Sequence, residues 1–348
     1  MQIIGIVGTA KNSGKTTILT SVLEEIKKRK INVALTSIGY EGEDLDNLTF
    51  LPKPRIWLEP ETIVVTASLT LDTAKLKYSI IEKTNIETAL GKIHIVKIEE
   101  RGKIVVAGPN NIGDLKKIIS SIKTLGIELL FIDGAMNRIA PMYLADKIIF
   151  STGASRNISV PILTEEMTLI NYLFRQNLNN NITNIETIAL VNKENIVETG
   201  ITTLLDTNDY NRLANFNPEN YETIIIKTIF SANLMKLLCE KLLCKKEYNI
   251  YFLEPFRLLL SINSLSLNEF YKIIPNNINV SFSIKPQLIA ITVNPFYPQY
   301  ENYSFRTKYI NKEELKIKMT ESVTVPVYDV YEDGSNRIVN LILQNDSH

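Results

Sequence analysis

Between Val7 and Ile18 the chain reads Gly8-Thr9-Ala10-Lys11-Asn12-Ser13-Gly14-Lys15-Thr16-Thr17, a run of small and hydroxyl residues broken by lysine. Such a run suits the cradling of a polyphosphate. Successive main-chain N–H groups at a turn into a helix point at phosphate oxygens, and the positive end of the helix adds to the attraction. In the pattern G-x-x-x-x-G-K-[ST], Gly14 permits close approach, the Lys15 ammonium reaches the outer phosphates, and the Thr16 hydroxyl ligates Mg²⁺. The first glycine of that pattern falls where this chain carries Thr9, with Gly8 one place earlier. A residue other than glycine fits there if its φ angle is negative, so the whole stretch from Thr9 to Thr17 is read as cofactor-binding. Lys11 lies one residue off the register of loops that carry an additional phosphate-facing lysine, and reads as a solvated loop side chain.

Asp133 follows the apolar run Glu128-Leu129-Leu130-Phe131-Ile132. An acidic side chain at the C-terminal end of a buried strand orients Mg²⁺ directly or through water, although aspartates there also serve as turn formers. Lys15 and Asp133 are thus the candidate catalytic pair, and Thr16 and Asp133 the candidate metal ligands. Arg138 either answers phosphate charge or pairs with a surface carboxylate. Glu41, Glu43 and Asp44 follow a strand and could polarise a water, but a solvated acidic loop is the more frequent case. Asn192-Lys193-Glu194-Asn195 resembles a guanine-reading motif, except that Asn195 stands where a carboxylate must accept two hydrogen bonds. This sets GTP below ATP. His94 and His348 have no partners that imply metal or acid–base chemistry.

The elements that must position these residues are legible in the apolar periodicity. Ile3–Val7 reads as a buried strand, and Ile18, Leu19, Val22, Leu23 and Ile26 recur at helical spacing behind the turn. Val33–Ile38, Ile63–Ala67, Glu128–Ile132 and Lys147–Phe150 read as further strands, and Asp114–Leu125 as a helix. Ile93–Ile98 and Lys103–Ala107 read as a hairpin. The polar tract Asn177–Asn184 has almost nothing to bury, which places a boundary between a nucleotide-binding domain over 1–177 and a second, smaller α/β domain over 185–348. In the latter, Thr187–Val191, Thr223–Ile226, Ile250–Leu253 and Leu288–Val293 read as strands and Phe230–Leu243 as a helix.

The 348 residues are 45% apolar, enough for a sizeable core, and 38 basic residues balance 38 acidic ones. No general field draws nucleic acid or an anionic membrane. Cys239 and Cys244 are five positions apart in an apolar stretch, on different faces of a helix, and read as buried thiols of a reducing cytoplasm. Met1–Val7 is too short an apolar run for a signal peptide, and no segment is long and apolar enough to span a bilayer.

Val7–Thr17 resembles the loop of the small P-loop proteins that accompany molybdopterin-guanine dinucleotide synthesis. A broader likeness is to the P-loop subunit of the lysine 5,6-aminomutase reactivase. It rests on the loop together with Leu35–Glu43, Lys53-Pro54-Arg55-Ile56, Thr84–Gly91, Ala107-Gly108-Pro109, Ile132-Asp133-Gly134-Ala135 with Arg138, and Ser151-Thr152-Gly153-Ala154. Val293-Asn294-Pro295 and Pro326–Val330 echo it more loosely. The resemblance implies a P-loop NTPase-like, mostly parallel sheet with helices on both faces. It also implies ATP and Mg²⁺ as cofactors, and a chaperone-like role in exchanging inactivated cobalamin on an adenosylcobalamin-dependent aminomutase of lysine fermentation. The partners it implies are that aminomutase and a second, ATPase-type reactivase subunit. A small-molecule ligase or kinase of the dethiobiotin-synthetase type, a GTPase-like protein of cofactor biosynthesis, or a nucleotide sensor without turnover would use the same loop.

Overall fold

The computed structural model describes residues 1–39, 55–136, 140–179, 185–193, 195–243, 247–263, 266–301 and 304–344. β1 (Gln2–Gly8) is buried from Ile3 onward, as a strand flanked on both edges and both faces must be. It turns into α1 (Lys15–Lys28), whose buried residues are Ile18, Leu19, Val22, Leu23 and Ile26, the apolar stripe expected from the spacing. There follow β2 (Val33–Ser37), β3 (Ile56–Leu58), β4 (Ile63–Ala67), α2 (Ser68–Asp72), β5 (Tyr78–Thr88), β6 (Gly91–Ile98), β7 (Gly102–Ile104), α3 (Ile112–Lys123), β8 (Leu129–Ala135) and β9 (Lys147–Gly153).

The chain then leaves this sheet through α4 (Val160–Arg175) and builds β10 (Asn177–Leu178), β11 (Ala189–Val191), β12 (Ile196–Glu198), α5 (Thr207–Ala214), β13 (Thr223–Ile226), α6 (Ala232–Lys241), β14 (Tyr248–Phe252), α7 (Pro255–Ile262), α8 (Leu267–Ile273) and β15 (Ile278–Phe282). These strands form their own sheet in the order β10-β15-β14-β13-β11-β12. Cys239 is buried in α6, its thiol pushed up to about 12 by desolvation and then by the Glu240 carboxylate; Cys244 lies outside the described residues. The chain returns with β16 (Gln287–Asn294), β17 (Phe296–Glu301), β18 (Ser304–Tyr309), α9 (Lys312–Ser322), β19 (Val327–Asp329) and α10 (Ser335–Leu343).

The first sheet has nine strands in the order β19-β16-β9-β1-β8-β2-β4-β6-β5. The run from β19 to β4 is parallel, and β6 and β5 close the edge antiparallel. The protein is therefore mixed α/β with a large, mostly parallel sheet. From β1 the chain crosses over β8 to reach β2, whereas from β8 it crosses over β1 to reach β9. That reversal makes the C-terminal end of β1 the switch point of the sheet, the place where sheets of this kind hold ligands. α1 and α10 share one core cluster with the sheet. Lys147, only 3% exposed, donates from Nζ to the Leu341, Ile342 and Gln344 carbonyls, so its charge answers the negative end of α10. No helix among the described residues is long and apolar enough to cross a membrane.

Two expectations are corrected. The compact units are Met1–Leu163 with Gln287–His348, and Thr164–Pro286, not 1–177 and 185–348. Asn177–Asn179, the described start of the polar tract, falls inside the second unit and the rest of the tract lies outside the described residues, and Leu288–Val293 belongs to β16, paired parallel with β9. A buried parallel strand reads the same whichever sheet receives it. The hairpin expected between Ile93–Ile98 and Lys103–Ala107 is also absent: β6 pairs with β5, and β7 pairs with β3. β5 escapes a sequence reading because most of its residues are exposed, so the alternation that signals a half-buried strand is missing.

Candidate phosphate-binding site

The turn from β1 into α1 folds back over Gly8. A Cβ on Gly8 would stand 2.8 Å from Ser13 Oγ, 3.3 Å from the Ala10 carbonyl oxygen and 3.4 Å from Lys15 Cδ. The glycine that the interior of this turn requires is therefore Gly8, which accounts for Thr9 at the usual glycine position. Thr9 points elsewhere: its N–H donates to the Ser151 carbonyl at 3.0 Å, and its hydroxyl donates to Thr152 Oγ1 at 3.0 Å. Thr9 anchors the turn to β9, and its amide is engaged there. Asn12 and Gly14 take left-handed backbone, with φ +61° and +95°, conformations open to asparagine and glycine.

Gly14 is the N-cap of α1 and supplies no side-chain acceptor, whereas Asn111, Asp206, Glu254, Ser266 and Asn311 cap other helices through their side chains. The first N–H groups of a helix have no partner within it, so those of α1 are left to an external acceptor. Ser13 is 1% exposed and its hydroxyl has no hydrogen-bond partner among the described residues. That orphaned buried donor is a second feature that a phosphate oxygen would satisfy.

The walls of the turn come from both ends of the sequence. Ser151 Oγ donates to the Ser13 carbonyl at 2.8 Å, and Asn294 Nδ2 donates to the Asn12 carbonyl at 2.9 Å. Val330, just past β19, closes over Gly14, where an added Cβ would meet its Cγ1 at 2.9 Å. The phrases around Asn294 and Val330, distant in sequence, thus meet the loop.

Lys15 Nζ lies 3.0 Å from Asp133 Oδ1. Asp133 Oδ1 is buried and accepts no aligned hydrogen bond among the described residues, so its partner is the Lys15 charge. The pairing follows from register: Ile6 of β1 lies opposite Asp133 of β8, which puts the carboxylate two residues short of the loop. Thr16 is half-buried beside Lys15 in the first turn of α1. No group of three or more His, Cys, Asp or Glu side chains that could hold a metal ion is present among the described residues, so a cation here would rely on Thr16, Asp133 and the ligand's own oxygens.

Of the other sequence candidates, Lys11 is exposed on the loop. Glu41, Glu43, Asp44, Arg138, Glu194 and His348 lie outside the described residues. Asn192 and Asn195 close the β11–β12 turn on each other, with the Asn195 N–H donating to Asn192 Oδ1 at 3.0 Å. His94 sits in β6 with Nδ1 3.1 Å from the Ile93 carbonyl. Sequence reasoning named Asn294, Ser151 and Val330 only within phrases of the resemblance and did not read them as loop walls.

No protein-family model matches this chain, and neither a curated protein nor a solved structure does.

Proposed function

We propose that this protein binds a nucleoside triphosphate with Mg²⁺, ATP ahead of GTP, through a P-loop formed by Thr9–Thr17. The observation that carries this reading is the Lys15–Asp133 pair at the mouth of a helix start that lacks a side-chain cap. The amides from Ala10 to Thr17 would hold the phosphates, and Thr16 and Asp133 the metal. Bound Mg²⁺ supplies positive charge that offsets charge developing on a transferred phosphoryl group. With a phosphate bound, Lys15 would turn from Asp133 toward the phosphate oxygens and leave that carboxylate to the metal. Hydrolysis, if the partner requires it, would be an ATPase reaction. The ATP preference rests on Asn195, an amide in a closed turn where guanine recognition needs a carboxylate.

The wider role comes from the resemblance: an ATP-dependent, cytoplasmic reactivase subunit working with an ATPase-type partner on an adenosylcobalamin-dependent aminomutase such as lysine 5,6-aminomutase. Lys15→Ala is expected to weaken Mg-ATP binding at least about tenfold, a loss of ~1.4 kcal/mol, and Lys11→Ala much less. Equal losses in a calorimetric titration would mean that the loop register is wrong. Failure of the wild type, with its partner subunit, to restore turnover to an inactivated aminomutase would remove the reactivase role while leaving nucleotide binding intact.

A further inference from the structure

Lys15 and Asp133 mark the β8 side of the loop, where the outer phosphates of the ligand proposed above would lie. The nucleoside must leave the turn in another direction. On the opposite side of β1, the sheet continues through β9, β16 and β19. The ends of β16 and β19 are two and three strand spacings away, about 10 and 14 Å. Both ends touch the loop, through Asn294 on Asn12 and Val330 on Gly14.

Each of those contact residues leads directly into exposed aromatic surface. Two residues after Asn294, Phe296 opens an antiparallel ribbon in which it pairs with Tyr309, their rings 6.0 Å apart and steeply inclined. The Ile310 N–H donates to the Pro295 carbonyl at 3.0 Å, which fixes this pair at the root of the ribbon. Period-two alternation places Pro298, Thr307, Tyr300 and Phe305 on the same uncharged face, with Arg306 and Lys308 on the other. Tyr331 follows Val330 directly. Tyr309 and Tyr331 are 65% and 63% exposed, so neither ring contributes much to the core, and each keeps uncovered ring surface, Tyr309 beside its contact with Phe296.

We propose that Tyr309 and Tyr331 form the platform for the ligand's nucleobase, so that the protein reads a nucleoside triphosphate and not simply a polyphosphate. This rests on the P-loop reading and goes beyond it, because it assigns the half of the ligand that the loop does not touch. Stacking of a base on an aromatic ring is worth about 1–3 kcal/mol per base, and flat apolar rings with a polar tip suit it.

The test is a calorimetric titration of the full chain with Mg-ATP and, separately, with inorganic tripolyphosphate. Tyr309→Ala/Tyr331→Ala is expected to lose ATP affinity by about tenfold or more, with tripolyphosphate affinity unchanged. Tyr309→Phe/Tyr331→Phe, which keeps both rings, is expected to bind ATP as the wild type does. Undiminished ATP affinity in the double alanine variant overturns the platform and leaves the loop standing. So does wild-type protein that binds tripolyphosphate as tightly as ATP. Wild-type protein that binds neither ligand overturns both.

Discussion

The side-chain amide of Asn294 donates to the carbonyl oxygen of Asn12 at 2.9 Å, joining positions 282 residues apart. Asn294 is 2% exposed, and the rest of it is engaged as well. Its Oδ1 accepts from the Phe296 N–H at 3.1 Å, and its carbonyl accepts from the Ala154 N–H at 2.9 Å. One residue thus ties the loop, the end of β9 and the root of the β17–β18 ribbon together.

Asn294→Ala leaves the Asn12 carbonyl without that donor and the loop without that wall. The expected loss is about 1–3 kcal/mol of stability, together with a several-fold loss of triphosphate affinity. Asn294→Asp should be worse than alanine, because a carboxylate would then face a carbonyl oxygen beside the proposed phosphate site. Thermal unfolding and titration of the two variants check the order; an aspartate variant that binds better than the alanine one would contradict this account of the contact.

Gly153 permits β9 and β16 to close on each other. A Cβ there would stand 1.9 Å from the Asn294 carbonyl oxygen, a backbone atom that cannot swing away. Gly153→Ala is expected to destabilise by about 3 kcal/mol or more, at the upper end of overpacking costs. Gly126→Ala serves as the control, since φ there is +69° but nothing lies within 4 Å; left-handed strain alone should cost it roughly 1–2 kcal/mol. Similar denaturant midpoints for the two variants would refute the close-packing argument.

Glu254 caps α7 from a fully buried position, accepting from the Arg257 N–H at 3.0 Å. Desolvation raises its pKa from 4.5 to about 7, against the opposing hydrogen bonds and charge of Arg257. Between those values the folded state holds a proton that the unfolded state has released. The Glu254 contribution is therefore greatest below about pH 4.5, falls as pH rises, and levels off above about 7. The difference in unfolding free energy between wild type and Glu254→Gln, measured from pH 4 to pH 8, should decline in that window. A flat or rising difference would show that the carboxyl is not held in its neutral form.

How much could be read in advance depended on the range of the interaction. β1, the turn and α1 are contiguous, and a buried strand, a glycine-bearing bend and an apolar stripe each leave a local pattern. Asp133 was recognisable because an apolar run ends there. β5 was not, since its exposed residues carry no alternation. Asn294 was not either: an asparagine before proline looks like an ordinary turn until β16 is known to lie beside β9.

The order of residues alone made most of the strands and helices legible, and with them the short stretch proposed to hold phosphate, because backbone angles and side-chain periodicity are settled within a few positions. Tertiary structure alone decided that β16 and β19 join the first sheet, that Lys15 meets Asp133, and that Asn294 and Val330 close the loop. Parallel strands buried on both faces are nearly interchangeable in composition. Which one lies beside which is decided by packing across the whole chain, and the walls of the site are made by that choice.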